Sequence, residues 1–215
     1  MNRSIFITGG SGYVGSRLIP ELLDKGYTVK ALVRKGSEQR IDKRCEIVFG
    51  DALNANSYSK WVSGCDTFIH LVGVHHPSPR NKKEFYSIDL ASIIEAAKAA
   101  SANHVQHFIY LSVVQVPFKF MLDYQAVRLT GEELIRSSEM NGTFIRPIYI
   151  IGPGHYWPLL FSPLLWLLKL FPATRKIVLL FEFVTIKQII KSFIKAVENP
   201  PQGIRIIEIE EINKI

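Results

Sequence analysis

The residues with the plainest chemical meaning are Thr8-Gly9-Gly10-Ser11-Gly12-Tyr13-Val14-Gly15. They follow the apolar run Ile5-Phe6-Ile7 and open an amphipathic stretch over residues 14–23. Glycines placed between a strand and a helix make a phosphate site. Gly9 can take the positive φ of a tight turn. Gly12 lets the backbone approach a pyrophosphate that a Cβ would strike, and Gly15 lets the helix lie close to the strand. The amides at the helix start then face the anion, and the helix dipole favours negative charge there. Three histidines also invite a chemical reading: the pair His75 and His76, and His155 after Gly152-Pro153-Gly154. Paired histidines can hold a metal, but no carboxylate or cysteine stands near them at ligand spacing, so no metal is expected. They are candidates for the substrate side of a cleft.

Alternating strand and helix patterns must position these groups. Strands are expected at residues 4–8, 28–33, 46–49, 67–72, 107–112 and 143–145, and helices at 14–23, 57–62, 83–101 and 123–140. This βαβ alternation predicts a parallel sheet covered by helices on both faces. Ligands of such sheets bind beyond the carboxyl ends of the strands, where the strand order reverses. The glycine stretch, Arg34, Asp51, Val72, Gly73 and Ser112 all fall at expected strand ends, so one crevice can gather them.

After Pro147 the pattern changes. Residues 156–171 are almost wholly apolar, broken by Pro158, Pro163 and Lys169. That is too short and interrupted for a membrane span of about 20 residues. The expectation is packed core or the wall of a substrate pocket; membrane-surface docking and a dimer interface are the alternatives. Residues 184–197 read as a helix. Residues 204–209 read as a last strand, paired with the sheet or with a small C-terminal subdomain. With no linker in sight, the expectation is one domain over 1–215, in which 148–215 form a small substrate-side part.

The 215 residues are 47% hydrophobic and 21% charged, which excludes a disordered chain. A net charge of +7 suits an anionic partner. The cations are scattered, with small clusters at Arg34-Lys35 and over residues 40–44, and no basic helix argues for nucleic acid. Cys45 and Cys65 read as small buried core residues. Without a disulfide framework, and with the first strand starting too early for a signal peptide, a cytoplasmic location is expected.

The glycine stretch, Gly50-Asp51, Tyr110-Leu111-Ser112, Tyr124-Gln125-Ala126-Val127-Arg128, and Arg146-Pro147 ahead of Gly152-Pro153-Gly154 together resemble one family. It is the short-chain dehydrogenase/reductase superfamily, in its atypical or extended branch of NAD(P)-binding, epimerase-like proteins. The resemblance covers most of the chain. It implies an α/β fold: a Rossmann-like, doubly wound parallel sheet with helices on both faces. It also implies dinucleotide contacts at Thr8, Gly9, Gly10, Ser11, Gly12, Tyr13, Val14, Gly15, Asp51, Ala52, Leu71, Val72, Gly73 and Pro147. Asp51 matches the acid beside the adenine amino group, its other reading being a turn aspartate. Arg34 and Lys35 stand where the adenosine ribose should lie. An acid there would bind the 2′-hydroxyl of NAD, whereas a cation pairs with the 2′-phosphate of NADP. NADP(H) is therefore favoured, with NAD the alternative.

The same resemblance implies a catalytic set. Ser112 and Tyr124 match the family's serine and tyrosine, and Arg128 stands where YxxxK has lysine. Four residues make about one helical turn, so Tyr124 and Arg128 share a face. Tyrosine would transfer the proton while hydride moves, and the cation would support it and the ribose. Arginine keeps the charge but has a different fork geometry and cannot relay a proton. Asp89 also replaces the asparagine found in many extended members. The implied activity is an NADP(H)-dependent oxidoreductase or epimerase-like enzyme, monomeric or homodimeric, acting on a partly hydrophobic carbonyl or hydroxyl compound. The alternative is a binding module that senses NADP(H) or serves assembly or regulation without turnover.

Overall fold

The computed structural model describes residues 3–74, 77–116, 121–171, 178–179 and 181–215, apart from the side chains of Phe161, Leu164, Leu165 and Lys169. Strands β1 (Ser4–Thr8), β2 (Thr28–Val33), β3 (Glu46–Phe49), β4 (Thr67–His70), β5 (His107–Leu111) and β6 (Asn141–Arg146) form a parallel sheet. The chain starts in the middle at β1, winds outward to β3, then returns to place β4 on the other side of β1. The crevice of this doubly wound, Rossmann-like sheet therefore opens between β1 and β4.

Successive strand residues face opposite sides, and the two sides have different chemistry. Ile5, Ile7, Ile69, Ile109 and Ile145 point to an aliphatic layer with Leu18, Ile19 and Leu22 of helix α1 (Gly15–Asp24). Phe6, Phe68 and Phe108 stand side by side in register on the other face. Their rings are 5.3 and 5.0 Å apart, and Tyr58 stacks on Phe6 at 5.7 Å. Beyond the short helix α2 (Ser59–Val62), helix α3 (Ala91–Ala102) covers this row with Ala96, Ala99 and Ala100. Small side chains let that helix approach bulky rings without overpacking.

The tail of the sheet settles two alternatives. The last strand, written here β9 (Ile204–Glu208), pairs in parallel with β6 and completes a seven-stranded sheet. A separate short pair, β7 (Ile150–Ile151) with β8 (Val184–Thr185), pins the two ends of the intervening excursion together. The helix expected from residue 184 begins at Ile186. Thr185 is its N-cap, forming a reciprocal capping box with Gln188.

Other boundaries moved for local reasons. Helix α4 (Leu122–Arg136) stops short of Met140, because Ser137 and Ser138 turn their hydroxyls onto the carbonyls of Leu134 and Ile135. The apolar stretch expected as core or pocket wall forms a 3₁₀ turn (Trp157–Phe161) and helix α5 (Ser162–Lys169). Many of its large side chains face outward instead. Pro158 and Pro163 break the stretch into short pieces that cannot present one continuous buried face. Helix α6 (Ile186–Glu198) by contrast buries Ile189, Phe193 and Val197 in the aliphatic layer, and α7 (Ile209–Asn213) closes the chain.

Phe68→Ala empties the centre of the aromatic row. Its expected cost is about 3–5 kcal/mol, read as a lowered urea midpoint with an unchanged slope.

Candidate functional site

The site begins where β1 ends. Gly9 has φ +76°, and a Cβ there would lie 2.7 Å from the Leu71 carbonyl carbon, so only glycine fits between the two central strands. A Cβ on Gly15 would come within 2.6 Å of Gly10 Cα and the Gly9 carbonyl oxygen. Gly12 is exposed, and a Cβ there would meet only the Gly9 carbonyl oxygen, at 3.1 Å. The turn is closed by Gly12 N–H donating to the Gly9 carbonyl at 3.0 Å. Helix α1 then starts with Val14 at its N-cap, with no side-chain cap and no acid in its first turn. Of its leading amides, Ser16 N–H donates to the Gly12 carbonyl at 3.0 Å and Arg17 N–H to the Val14 carbonyl at 3.1 Å. This glycine cradle fits a pyrophosphate.

The individual residues divide between lining and packing. Thr8 is buried, and its hydroxyl shares a 2.7 Å hydrogen bond with His70 Nδ1. Val14 and Pro147 are buried as well. His70, which sequence reading missed, is enclosed; burial first, then the Arg128 charge, pushes its pKa down to about 3, so it is neutral. Ser11 and Tyr13 are half-buried. The Tyr13 ring lies under the Arg17 guanidinium at 4.3 Å and meets the His155 ring at 4.4 Å. A Cβ on Gly152 would press on the Tyr13 hydroxyl and on the Ile186 side chain. His155 therefore lies beside the cradle, while His75 and His76 lie outside the described residues.

Around the rim, Arg34 and Lys35 are exposed just past β2. Asp51 is exposed past β3, and its carboxylate accepts from Leu53 N–H at 3.0 Å, so it also closes a turn. Ala52 packs half-buried beside the aromatic layer. Leu71 and Val72 are half-buried past β4, with Gly73 exposed beyond them. Cys45 and Cys65 are buried thiols, as expected. Burial pushes Cys45 up to about 12, which makes it unreactive.

The expected catalytic set is split. Tyr124, Arg128, Glu132 and Arg136 recur every four residues along one face of α4. Tyr124 is half-buried, its ring 5.1 Å from that of Phe85 and 5.1 Å from the Arg128 guanidinium carbon. Arg128 is buried and ion-paired: Nη2 donates to Asp89 Oδ1 at 2.5 Å, and Nη1 donates to the Leu111 carbonyl at 3.0 Å. Asp89 Oδ2 accepts from Val74 N–H at 3.0 Å. Burial raises the Asp89 carboxyl, and the Arg128 charge opposes that rise. A Cβ on Gly73 would collide with Arg128 Nη2. The guanidinium thus lies directly beneath the crevice rim, with its charge already matched.

Ser112 is engaged by the protein itself. Its hydroxyl donates to buried Glu132 at 2.6 Å. Arg146 clamps the same carboxylate, with Nε at 2.8 Å from Oε1 and Nη2 at 2.5 Å from Oε2. Glu132 lies about two turns, roughly 12 Å, along the helix from Tyr124. Strand alternation is the reason: Ser112 shares the inward face of Tyr110, toward the body of α4. Glu132 was overlooked, although its four-residue spacing from Arg128 was legible.

Asp89→Ala leaves Arg128 buried without a counter-charge. The expected loss is about 3–5 kcal/mol of stability by chemical denaturation.

Comparison with known proteins agrees with this geometry. A family model described as NAD(P)H-binding matches residues 9–153. The ceramide reductase of Caulobacter vibrioides is 28% identical over 152 residues, covering 70% of this chain and 47% of that protein. The UDP-glucose 4-epimerase of Vibrio cholerae is 26% identical over 180 residues, covering 72% of this chain and 54% of that one. The chain thus spans about half the length of these curated relatives. A short-chain dehydrogenase/reductase superfamily protein from Agrobacterium tumefaciens, solved with NAD bound, superposes with a TM-score of 0.69 at 17% identity. That superposition covers 96% of this chain and 77% of that one. The chain belongs to the NAD(P)H-binding family and has the fold of the short-chain dehydrogenase/reductase superfamily.

Proposed function

We propose that this chain is an NADP(H)-dependent oxidoreductase or epimerase-like enzyme acting on a small, partly hydrophobic carbonyl or hydroxyl compound. The observation that carries the reading is the glycine cradle at the uncapped start of α1, with Tyr124 and the Arg128 guanidinium on a neighbouring helix. When bound, the nicotinamide would supply or accept the hydride. The turn over Gly9, Gly10, Ser11, Gly12 and Tyr13 would hold the pyrophosphate, Gly12 by leaving room for it while its own amide closes the turn. Asp51 and Ala52 would flank the adenine, and Leu71, Val72 and Gly73 would line the ribose and nicotinamide side. Tyr124 would give or take the proton at the substrate oxygen. Arg128 would position Tyr124 through ring contact, since its own hydrogen bonds go to Asp89, Leu111 and the Tyr110 hydroxyl. His155 would edge the substrate side. The ceramide reductase relative supports an apolar substrate.

Arg34 and Lys35 support NADP over NAD, because two exposed cations past β2 suit a 2′-phosphate. Calorimetric titration should show NADPH bound more tightly than NADH. Arg34→Glu should weaken NADPH by about 1.5–3 kcal/mol, the worth of a charged hydrogen bond, while leaving NADH nearly unchanged. Equal losses for both would remove the assignment.

A second reading is favoured by one observation: Ser112 and Arg128 are both engaged with buried carboxylates. On that reading the chain binds NADP(H) without turnover. Tyr124→Phe separates the two. The enzyme reading expects kcat to fall by about 10²–10⁴ with dinucleotide affinity retained. Wild-type protein that binds NADPH but transfers no hydride to any carbonyl compound in a broad screen supports the binding module.

A further inference from the structure

Beyond His155, the excursion between β7 and β8 is a large feature that the proposed reaction does not use. It leaves the sheet beside the cradle, where Gly152 and His155 touch Tyr13, and it carries apolar side chains into solvent. Leu160 is 82% exposed, Trp166 67% and Leu170 61%, with Tyr156, Trp157 and Leu167 also exposed. Scattered exposed leucines need no explanation, but this many within one short segment form a patch that a soluble surface does not ordinarily carry. Its chemistry is that of a membrane interface: leucines for the acyl boundary, with tryptophan and tyrosine for the headgroup level. Among the described residues no helix is long and apolar enough to cross a membrane.

Charge selects the occupant. In sequence, the excursion (residues 152–183) carries Lys169, Arg175 and Lys176 against a single acid, Glu182. The whole chain carries +7. A second copy would bring the same positive segment against this one, whereas an anionic lipid surface complements it. We infer that residues 156–171 dock the protein on an anionic membrane surface, lying in the interface plane with the dinucleotide cradle close behind. An apolar substrate could then enter the crevice from the lipid side. The docking goes beyond the proposed reaction and stands without it.

Sedimentation with lipid vesicles tests this on the full chain without dinucleotide or substrate. Vesicles of phosphatidylcholine mixed with phosphatidylglycerol should pellet the protein at low salt. Vesicles of phosphatidylcholine alone should pellet far less. The double substitution Leu160→Glu and Trp166→Glu should lower partitioning by about tenfold or more, since it places charge in the buried face. Both positions are largely exposed, so the fold should survive, as circular dichroism would verify. No pelleting with anionic vesicles, or pelleting that the double variant leaves intact, overturns the inference. Concentration-dependent dimerisation abolished by the same variant, without lipid binding, also overturns it and assigns the face to a second copy.

Discussion

Everything at the site depends on how closely β1 and β4 approach at their carboxyl ends. Gly9 leaves β1 in a left-handed conformation with the Leu71 main chain 2.7 Å from where a Cβ would be. Any other residue would force the two strands apart. That contact aims the chain into the turn, sets the start of α1 beside the switch point, and keeps Leu71, Val72 and Gly73 within reach of the same crevice. The hydrogen bond from Leu71 N–H to the Thr8 carbonyl, 3.0 Å, continues the ladder up to the turn itself. The anion site is thus a consequence of sheet register as much as of glycine content.

Buried polar groups then organise the floor of the crevice. Thr8, His70 and Ser92 form one chain of hydrogen bonds beneath β1 and β4. Asp89, Arg128 and the Val74 amide form a second, which ties α4 to the helical stretch before α3 and to the loop after β4. Ser112, Glu132 and Arg146 form a third, which ties α4 to β5 and β6. Each network satisfies groups that would otherwise be costly to bury, with Arg128 Nε the member left without a partner among the described residues. The second also reconciles two departures from the family pattern. Arginine and aspartate, each unexpected alone, are matched to one another, so the interior stays neutral. Tyr124 is left as the half-buried member of the stripe, turned toward Phe85 and Arg128.

The excursion after β7 follows a different logic. Its ends are held by the β7–β8 pair and by the capping box at Thr185, so both exits are firmly placed. Among the described residues between them, Val178 is buried and Phe181 packs on the aliphatic layer, whereas Leu160, Trp166, Leu167 and Leu170 are left exposed. The two layers of the main sheet are already filled, one by α1 and α6, the other by the alanine-rich helix and its neighbours. A segment of such composition left outside a complete core points to a partner surface rather than to folding.

The sequence by itself determined the doubly wound sheet, since strand and helix periods alternate and glycine marks the first turn. It also determined the dinucleotide cradle, because the needs of Gly12 and Gly15 are local, met by Gly9 and Gly10 within one turn, although the Leu71 contact that demands Gly9 comes from across the sheet. The starts of β1 to β5 were legible from the apolar alternation, whereas β6 begins at Asn141, two residues before the expected start. The fate of side chains that reach across elements was decided only in three dimensions. Ser112 and Tyr124 belong to matching motifs, yet strand pleat and helix phase hold Ser112 on Glu132, about two turns along the helix from Tyr124. Whether Arg128 faced a ribose or a carboxylate depended on Asp89, thirty-nine residues away in sequence and 2.5 Å away in space. The apolar run at residues 156–171 looked like core because hydrophobicity is a property of residues. Burial is a property of the space left once every other element has packed.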